Sequence, residues 1–361
     1  MDRRVFLATT AAAPLISRLS LGANRAEAAE PAPTLGWRQF EVTTRVTLQS
    51  APGQSATGPA QLWLPLAQTA GGYQTVLELR WQGNGRADLV RDQKYGAAIL
   101  LSTWDDAASP PQIEVVQLVA TRDRGSLPSL ALSQAERQFW TEATQSAPTD
   151  GIVRDTALRI TAGRTDPRDR LRAIYDWVVD TTWRNPETPG CGLGDVKLML
   201  ETGNFGGKCV DINGLMVGLA RSAGFPARDV YGIRVADSRV FPSLGKSGDI
   251  SKAQHCRAEV FLEDAGWFPV DPADVRKVVL EQKLALDSPD VRALRERLFG
   301  AWEMNWIGYN SATDIKLPGA GQEQPNFAFL MYPCAFTPMG QPSAVDPARF
   351  RYEISSREIL V

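Results

Sequence analysis

The spacing of apolar residues changes once along this chain, near Pro128. Before that point five runs nearly alternate apolar and polar residues, as half-buried strands do, and turns rich in glycine and proline separate them. These runs are 39–48, 61–65, 74–81, 97–102 and 112–121. The pattern predicts an all-β region at about residues 37–125, built as a β-sandwich or a small antiparallel domain.

Beyond Pro128 the apolar residues recur at helical spacing, and short strands lie between the helical segments. Asp166-Pro167 is a strong helix start, and Gly224 with Pro226 ends the helix that begins near Cys209. We predict helices at 133–145, 151–162, from 166 onwards, at 209–223, 275–284 and 289–299, and strands at 229–235, 257–263 and 267–270. The chain is thus expected to hold a mixed helix-and-strand domain at about 130–310 and a C-terminal extension at 311–361.

The N-terminus has the composition of an export signal. Arg3 and Arg4 precede an apolar stretch from Val5 to Ile16, and an Ala-x-Ala string ends at Ala28. Adjacent arginines are typical of the twin-arginine route, so we predict a signal peptide at residues 1–28, cleaved near Ala28, and a periplasmic product. The alternative is a helical N-terminus of the mature protein, because the apolar stretch is too short to span a bilayer.

Charge and length limit the classes of partner. The 361 residues include 39 lysines and arginines against 41 acidic residues. Removing residues 1–28, with four arginines and two acids, leaves 35 basic and 39 acidic residues, a net charge of about −4. Because no basic tract is present, nucleic acid and anionic membrane surfaces are not expected partners. No later apolar run is long enough for a membrane span, so we expect a soluble product, and its oligomeric state stays open.

The cysteines are Cys191, Cys209, Cys256 and Cys334. If Cys209 is kept as a thiol, at most one disulfide can form among the other three, and the sequence leaves open which one forms, or whether any does. No C-x-x-C pair occurs, and the adjacent His255 and Cys256 would point to opposite faces of a strand. We therefore expect neither a metal site nor a bound cofactor.

The chain has one histidine, His255. Imidazole is the only unperturbed side chain that titrates near neutral pH, so a histidine general base must be this residue. Cys209 follows a Gly-Gly pair at a predicted helix start, where unsatisfied N–H groups and the helix dipole lower a thiol pKa. Its own N–H is a candidate oxyanion donor. The alternative for both residues is structural, as a buried cysteine and a histidine without a catalytic role.

Asp271 ends the second of two consecutive predicted strands, and His255 precedes the first. A turn at 264–266 joins these strands, and the two ends of an antiparallel hairpin lie level, so the turn brings Asp271 near His255. The order Cys209, His255, Asp271 is that of a thiol nucleophile, its base and an orienting carboxylate. The alternative for Asp271 is a turn residue before Pro272.

Four strings of residues, at 207–211, 220–232, 255–260 and 266–271, match one known family. Together they resemble the core of the transglutaminase-like superfamily, over about residues 165–275. The resemblance implies a papain-like α+β fold in which the helix bearing the cysteine packs on an antiparallel sheet. It assigns Cys209 as nucleophile, His255 as base and Asp271 as the residue that orients the imidazole. Many members follow the histidine with a small residue and tryptophan, where this chain has Cys256 and Arg257.

The activity implied by this resemblance is acyl transfer on peptide or protein amide bonds through a thioester. Water as acceptor makes the protein a cysteine peptidase or amidase, an amine makes it a cross-linking transferase, and a non-catalytic binding module is the third alternative. The export signal and the lack of a calcium-loop motif favour hydrolysis, with cell-wall peptide as one candidate substrate. Trp183, on the segment leading to Cys209, is a candidate second oxyanion donor through its indole N–H, or else a core aromatic.

Overall fold

The structure is a computed structural model that describes residues 24–26, 36–48, 59–105, 109–125, 131–321, 326–338, 340–345 and 350–360. Of residues 24–26 only the backbone is described. The predicted signal peptide at 1–28 lies outside the described residues apart from these three, and Pro128 lies outside them as well.

The chain forms strands up to Arg122, and helices and strands alternate after it. The strands are β1 Asn24–Ala26, β2 Trp37–Thr47, β3 Ala60–Pro65, β4 Gln74–Gly83, β5 Arg86–Arg91, β6 Ala98–Trp104, β7 Gln112–Arg122, β8 Trp183–Arg184, β9 Gly206–Gly207, β10 Ala227–Arg234, β11 Gly248–Asp249, β12 Gln254–Leu262, β13 Gly266–Val270, β14 Trp306–Asn310, β15 Thr313–Ile315, β16 Phe327–Phe329, β17 Cys334–Phe336 and β18 Arg351–Ile359. The helices are α1 Gln134–Thr141, α2 Gly151–Thr161, α3 Pro167–Thr181, α4 Val196–Thr202, α5 Cys209–Ser222, α6 Pro272–Glu281 and α7 Pro289–Arg297, and a 3-10 turn covers Pro242–Leu244.

Two antiparallel sheets form the region that was expected to be all-β. One has the strand order β1-β4-β7-β2-β18-β11 and the other β17-β3-β6-β5. Alternation along β2 places Phe40, Val42 and Val46 in the core. Strand β18 pairs with β2 along its length, and β17 pairs with β3. Residues 311–361 therefore supply a strand to each sheet, while the domain boundaries themselves stay a prediction.

The helix-containing part of the chain is built on an antiparallel sheet of order β13-β12-β10-β14, and α5 packs on the two central strands of this sheet. All residues of α5 from Cys209 to Arg221 are buried, as expected for a helix at the centre of a domain. The side chain of Asp211 accepts the N–H of Lys208 at 2.9 Å and caps the start of the helix. Gly224, with φ of 90°, provides the left-handed residue that ends it. The predicted α+β core, with the cysteine-bearing helix on an antiparallel sheet, is confirmed.

Side-chain caps also fix the starts of α3 and α6. Asp166 accepts the N–H of Asp169 at 2.9 Å at the start of α3, and Pro167 is the first helical residue. Asp271 caps α6 in the same way, accepting the N–H of Asp274 at 3.2 Å. This helix begins three residues before the predicted start at 275, because Asp271-Pro272 is a helix start as well as a strand end.

Two elements carry no periodic signal that predicts them. Strand β5 is an edge strand whose side chains are mostly exposed, so it lacks an apolar face. Helix α4 has seven residues, too few to show a helical period, although Asp195 caps it. Among the described residues, no helix is both long enough and apolar enough to cross a membrane.

Candidate active site

The structure brings Cys209, His255 and Asp271 to one place. Cys209 is the first residue of α5, His255 the second residue of β12, and Asp271 the residue between β13 and α6. The Nε2 of His255 lies 2.8 Å from the Oδ2 of Asp271. The last pair of the β12–β13 hairpin is Ala258 with Val270, so the hairpin sets this contact. His255 lies within the strand rather than before it, because β12 begins at Gln254.

The imidazole of His255 is held in one orientation. A carboxylate only accepts hydrogen bonds, so Nε2 carries a proton and donates it in the hydrogen bond to Asp271. The other ring nitrogen, Nδ1, is left to face the thiol. The indole of Trp306 donates to the carbonyl oxygen of His255 at 2.9 Å and fixes the backbone. Gly232 pairs with His255 across the sheet, where a Cβ atom would lie 2.4 Å from the ring of Trp306. The glycine therefore makes room for the tryptophan that positions the histidine.

The pKa values of Cys209 and His255 are shifted in opposite directions, as an ion pair requires. Hydrogen bonds with the side chains of Cys191 and Cys256 lower the pKa of Cys209 well below its ordinary value; burial opposes them, and His255 lowers the pKa further. Burial and the nearby Arg234 act to lower the pKa of His255, but the carboxylates of Asp274 and Asp271 outweigh them and raise it. Both shifts therefore favour the thiolate–imidazolium form of the pair.

Cys191 lies beside Cys209 in the site, although the sequence assigns no role to it there. The hydrogen bond with Cys209, and after it burial, keep the pKa of Cys191 well above its ordinary value, so Cys191 stays a thiol. The hydroxyl of Tyr332 donates to its Sγ at 3.0 Å, and the N–H of Val210 donates to its carbonyl oxygen at 2.9 Å. The one sequence signal for Cys191 at the site is that it is a cysteine, because it lies in a loop 18 positions before Cys209, and a loop has no periodic pattern. All four cysteines are free, including Cys256 and Cys334.

Buried charged and polar groups surround the carboxylate of Asp271. Asn213 donates to its Oδ1 at 3.2 Å, and the Nε of Arg257 lies 3.6 Å from its Oδ2. Arg257 stands where many family members have tryptophan; its guanidinium lies 4.7 Å from the ring centre of Trp306. Burial lowers the pKa of Arg257 to about 10, so it remains a cation at neutral pH. This departure from the family pattern therefore adds a positive charge beside the carboxylate.

Asp274 and Arg234 form a second buried pair next to the histidine. The Nη2 of Arg234 lies 2.6 Å from the Oδ1 of Asp274, which is 3.4 Å from the Nε2 of His255. Among the described residues, His255, Asp271 and Asp274 form a group whose ligand atoms are close enough to hold a metal ion. Arg234 and Arg257 already supply positive charge to these two carboxylates, so the group fits an ion pair network better than a cation site.

Cys209 and His255 line a cavity of about 700 Å³. The C-terminal part of the chain also lines it, through Tyr332, Phe350 and Tyr352. Trp183 is not among the lining residues: it pairs with Gly206, three positions before Cys209, its ring covers that glycine, and the residue is 44% exposed. Its role as an oxyanion donor stays a prediction.

The chain matches the family model of the transglutaminase-like superfamily over residues 154–272. It is 35% identical to an uncharacterized protein of Haemophilus influenzae over 329 residues, which is 85% of this chain and 88% of the relative. The chain belongs to the transglutaminase-like superfamily.

Solved structures with a similar arrangement have low sequence identity to this chain. A candidate cysteine protease from Cytophaga hutchinsonii is 11% identical with a TM-score of 0.49, covering 93% of this chain and 100% of that one. The periplasmic domain of TgpA from Pseudomonas aeruginosa is 14% identical with a TM-score of 0.37, covering 68% of this chain and 90% of that one.

Proposed function

We propose that this protein transfers acyl groups from peptide or protein amides through a thioester on Cys209, with water as the final acceptor. The observation that carries this proposal is the contact between His255 and the buried carboxylate of Asp271, beside a thiol of lowered pKa in one cavity. A thiolate, a base that can return its proton and a group that fixes the base are the parts this reaction needs.

In the proposed first step the Cys209 thiolate attacks the amide carbonyl carbon, and the carbonyl oxygen becomes negative. The N–H of Cys209 is the proposed donor to this oxygen, since no described residue accepts a hydrogen bond from it. The imidazolium of His255 then gives its Nδ1 proton to the departing amine, which leaves a thioester. In the second step His255 takes a proton from water as the water attacks the thioester; the acid is released, and the thiolate of Cys209 and the imidazolium of His255 are restored.

The choice of water over an amine rests on sequence features. The chain carries the predicted export signal and no calcium-loop motif, which favours hydrolysis of a peptide or amide bond. We propose export to the periplasm on the same residues, 1–28. Transfer to an amine uses the same three residues, so it is the alternative outcome of the experiment that follows.

The proposed function predicts new amino termini when the mature protein acts on peptide pools. The pools are incubated with and without a labelled primary amine, and products are read by mass spectrometry, with the Cys209→Ala protein as matched control. We expect cleavage products and a thioester adduct on the wild-type chain alone. Incorporation of the labelled amine instead would establish the transferase. Folded protein with a reactive Cys209 but neither product would contradict both reactions and favour a binding role.

A further inference from the structure

The cavity that holds Cys209 and His255 is strongly basic. Seven of its lining residues are lysine or arginine, and Asp249 is the one carboxylate among them. The chain as a whole has slightly more acidic than basic residues, so this excess is local and does not reflect composition. A concave wall with charge of one sign concentrates its field and attracts ligands of the opposite sign.

Three of these cations, Arg184, Arg234 and Lys277, lie against carboxylates of α6. Arg234 is held by Asp274, and Arg184 lies 3.2 Å from Glu281. Lys277, on α6, is the least compensated of the buried ones: its side chain is 16% exposed, and the nearest carboxylate, on Glu281, is 3.7 Å away and shared with Arg184. Burial lowers the pKa of Lys277 to about 8, because the partly buried ammonium is less well solvated than an exposed one.

Lys208 is the residue directly before the nucleophile, and it lines the same cavity. In the described ranges no carboxylate lies within ion-pair distance of Lys208. Its ammonium is therefore available to a ligand. Lys208 and Lys277 together place two positive charges in the wall that also contains the thiol of Cys209.

The remaining cations come from Lys246, Lys252 and Arg351. Asp249, the carboxylate in this part of the wall, accepts hydrogen bonds from the Oγ and the N–H of Ser251 at 2.6 and 3.0 Å. Asp249 keeps its negative charge and offsets part of that of Lys246 and Lys252, which leaves a net positive charge on this part of the lining.

We propose that the substrate is acidic: a peptide that carries at least one carboxylate close to the amide bond that Cys209 attacks, bound by Lys277 and Lys208. This inference rests on the proposed function and names its substrate class. A cavity of about 700 Å³ has the size of a site for a short peptide or a drug-sized ligand. The carboxylate belongs either to an Asp or Glu side chain or to the end of the peptide.

Binding to the mature Cys209→Ala protein tests the proposal without requiring any reaction. Short synthetic peptides are prepared in matched pools, with Asp and Glu or with Asn and Gln, and with free or amidated C-termini. Retained peptides are identified by mass spectrometry and their affinities measured by calorimetry. We expect selective retention of the acidic pools. Loss on amidation assigns the terminal carboxylate, and loss on exchange for Asn and Gln assigns the side chain.

Charge-removing variants provide the decisive comparison. We expect Lys277→Gln, made in the same background, to weaken binding of acidic peptides at least about tenfold, and Lys208→Gln to weaken it by a similar factor. Lys197→Gln is the matched control, because Lys197 is exposed on α4 and does not line the cavity. Equal retention of neutral and acidic pools, or equal affinities in all three variants, would overturn the proposal. Cleavage of neutral peptides by the wild-type protein would then leave the proposed reaction standing without this specificity.

Discussion

Replacing His255 with alanine is expected to slow alkylation of Cys209 by iodoacetamide at pH 6 by about 10- to 100-fold. A free thiol with a pKa of about 8.5 is ionised to roughly one part in 300 at that pH, whereas the lowered pKa of Cys209 gives the wild-type thiol a larger thiolate fraction. The hydrogen bonds from Cys191 and Cys256 remain in the variant and keep part of the effect. The rate of acyl transfer should be lost altogether, because no other histidine is present.

The measurement is the labelling rate across pH, with the modified residue identified by peptide mapping. In wild type the labelling rate should rise with pH well below the range of an ordinary thiol and stay high above the pKa of His255, because the thiolate persists when the imidazolium loses its proton. The remaining cysteines serve as internal controls, because the pKa values of Cys191 and Cys256 lie well above the ordinary value and that of Cys334 is raised to about 12 by burial. A wild-type Cys209 that titrates near 8.5, or an unchanged rate in His255→Ala, would contradict the ion pair.

Replacing Asp271 with alanine is expected to reduce the rate of acyl transfer by about 10³- to 10⁴-fold. The Nε2 proton of His255 then loses its acceptor, and the imidazole is no longer held with Nδ1 towards the thiol. The raised pKa of His255 should fall as well, since Asp271 contributes to it. Asp271→Asn should lose a similar factor, because an amide can donate as well as accept and so does not hold the proton on Nε2.

Asp271 also caps α6, so the loss of activity must be separated from a loss of stability. Asp166→Ala is the matched control, since Asp166 caps α3 with the same contact and does not line the cavity. Removing a cap costs about 1 kcal/mol in the free energy of unfolding, measured by urea denaturation. We expect at least that cost in both variants, and a larger one in Asp271→Ala, because it leaves the buried His255 and Arg257 without their carboxylate. The loss of activity is expected only in Asp271→Ala. A comparable loss of rate in Asp166→Ala would show that the effect is structural.

Local signals account for the residues that could be assigned from the sequence. Cys209 follows two glycines at a helix start, and a hairpin of fixed length joins His255 to Asp271, so short-range geometry determines both positions. Cys191 and Arg234 reach the site through packing between elements distant in the chain, and no local pattern encodes such packing. Asp274 lies between these cases, since it is one turn along α6 from the cap and could be placed only once that helix start was known.

The difference between local patterns and distant packing also applies to strand pairing, which the sequence pattern does not predict. The alternation in β2 predicted a strand, but pairing with β18 depends on which distant segment covers its edge. A side-chain contact in this pairing joins Arg38 to Glu358, 320 positions apart. The repeating pattern of apolar residues gives each strand a buried face and does not specify its neighbour.

The pairing of β2 with β18 has a consequence for how the protein is made. Phe350, Arg351 and Tyr352 line the cavity, and the last two begin β18. During synthesis the N-terminal strands leave the ribosome long before their partner, so β2 has an unpaired edge until residues 351–359 emerge. The cavity is completed only at that moment. A nascent or truncated chain that lacks this strand therefore has the thiol and its base but an incomplete substrate wall, and the late arrival of β18 delays the ability to bind substrate until translation has passed it.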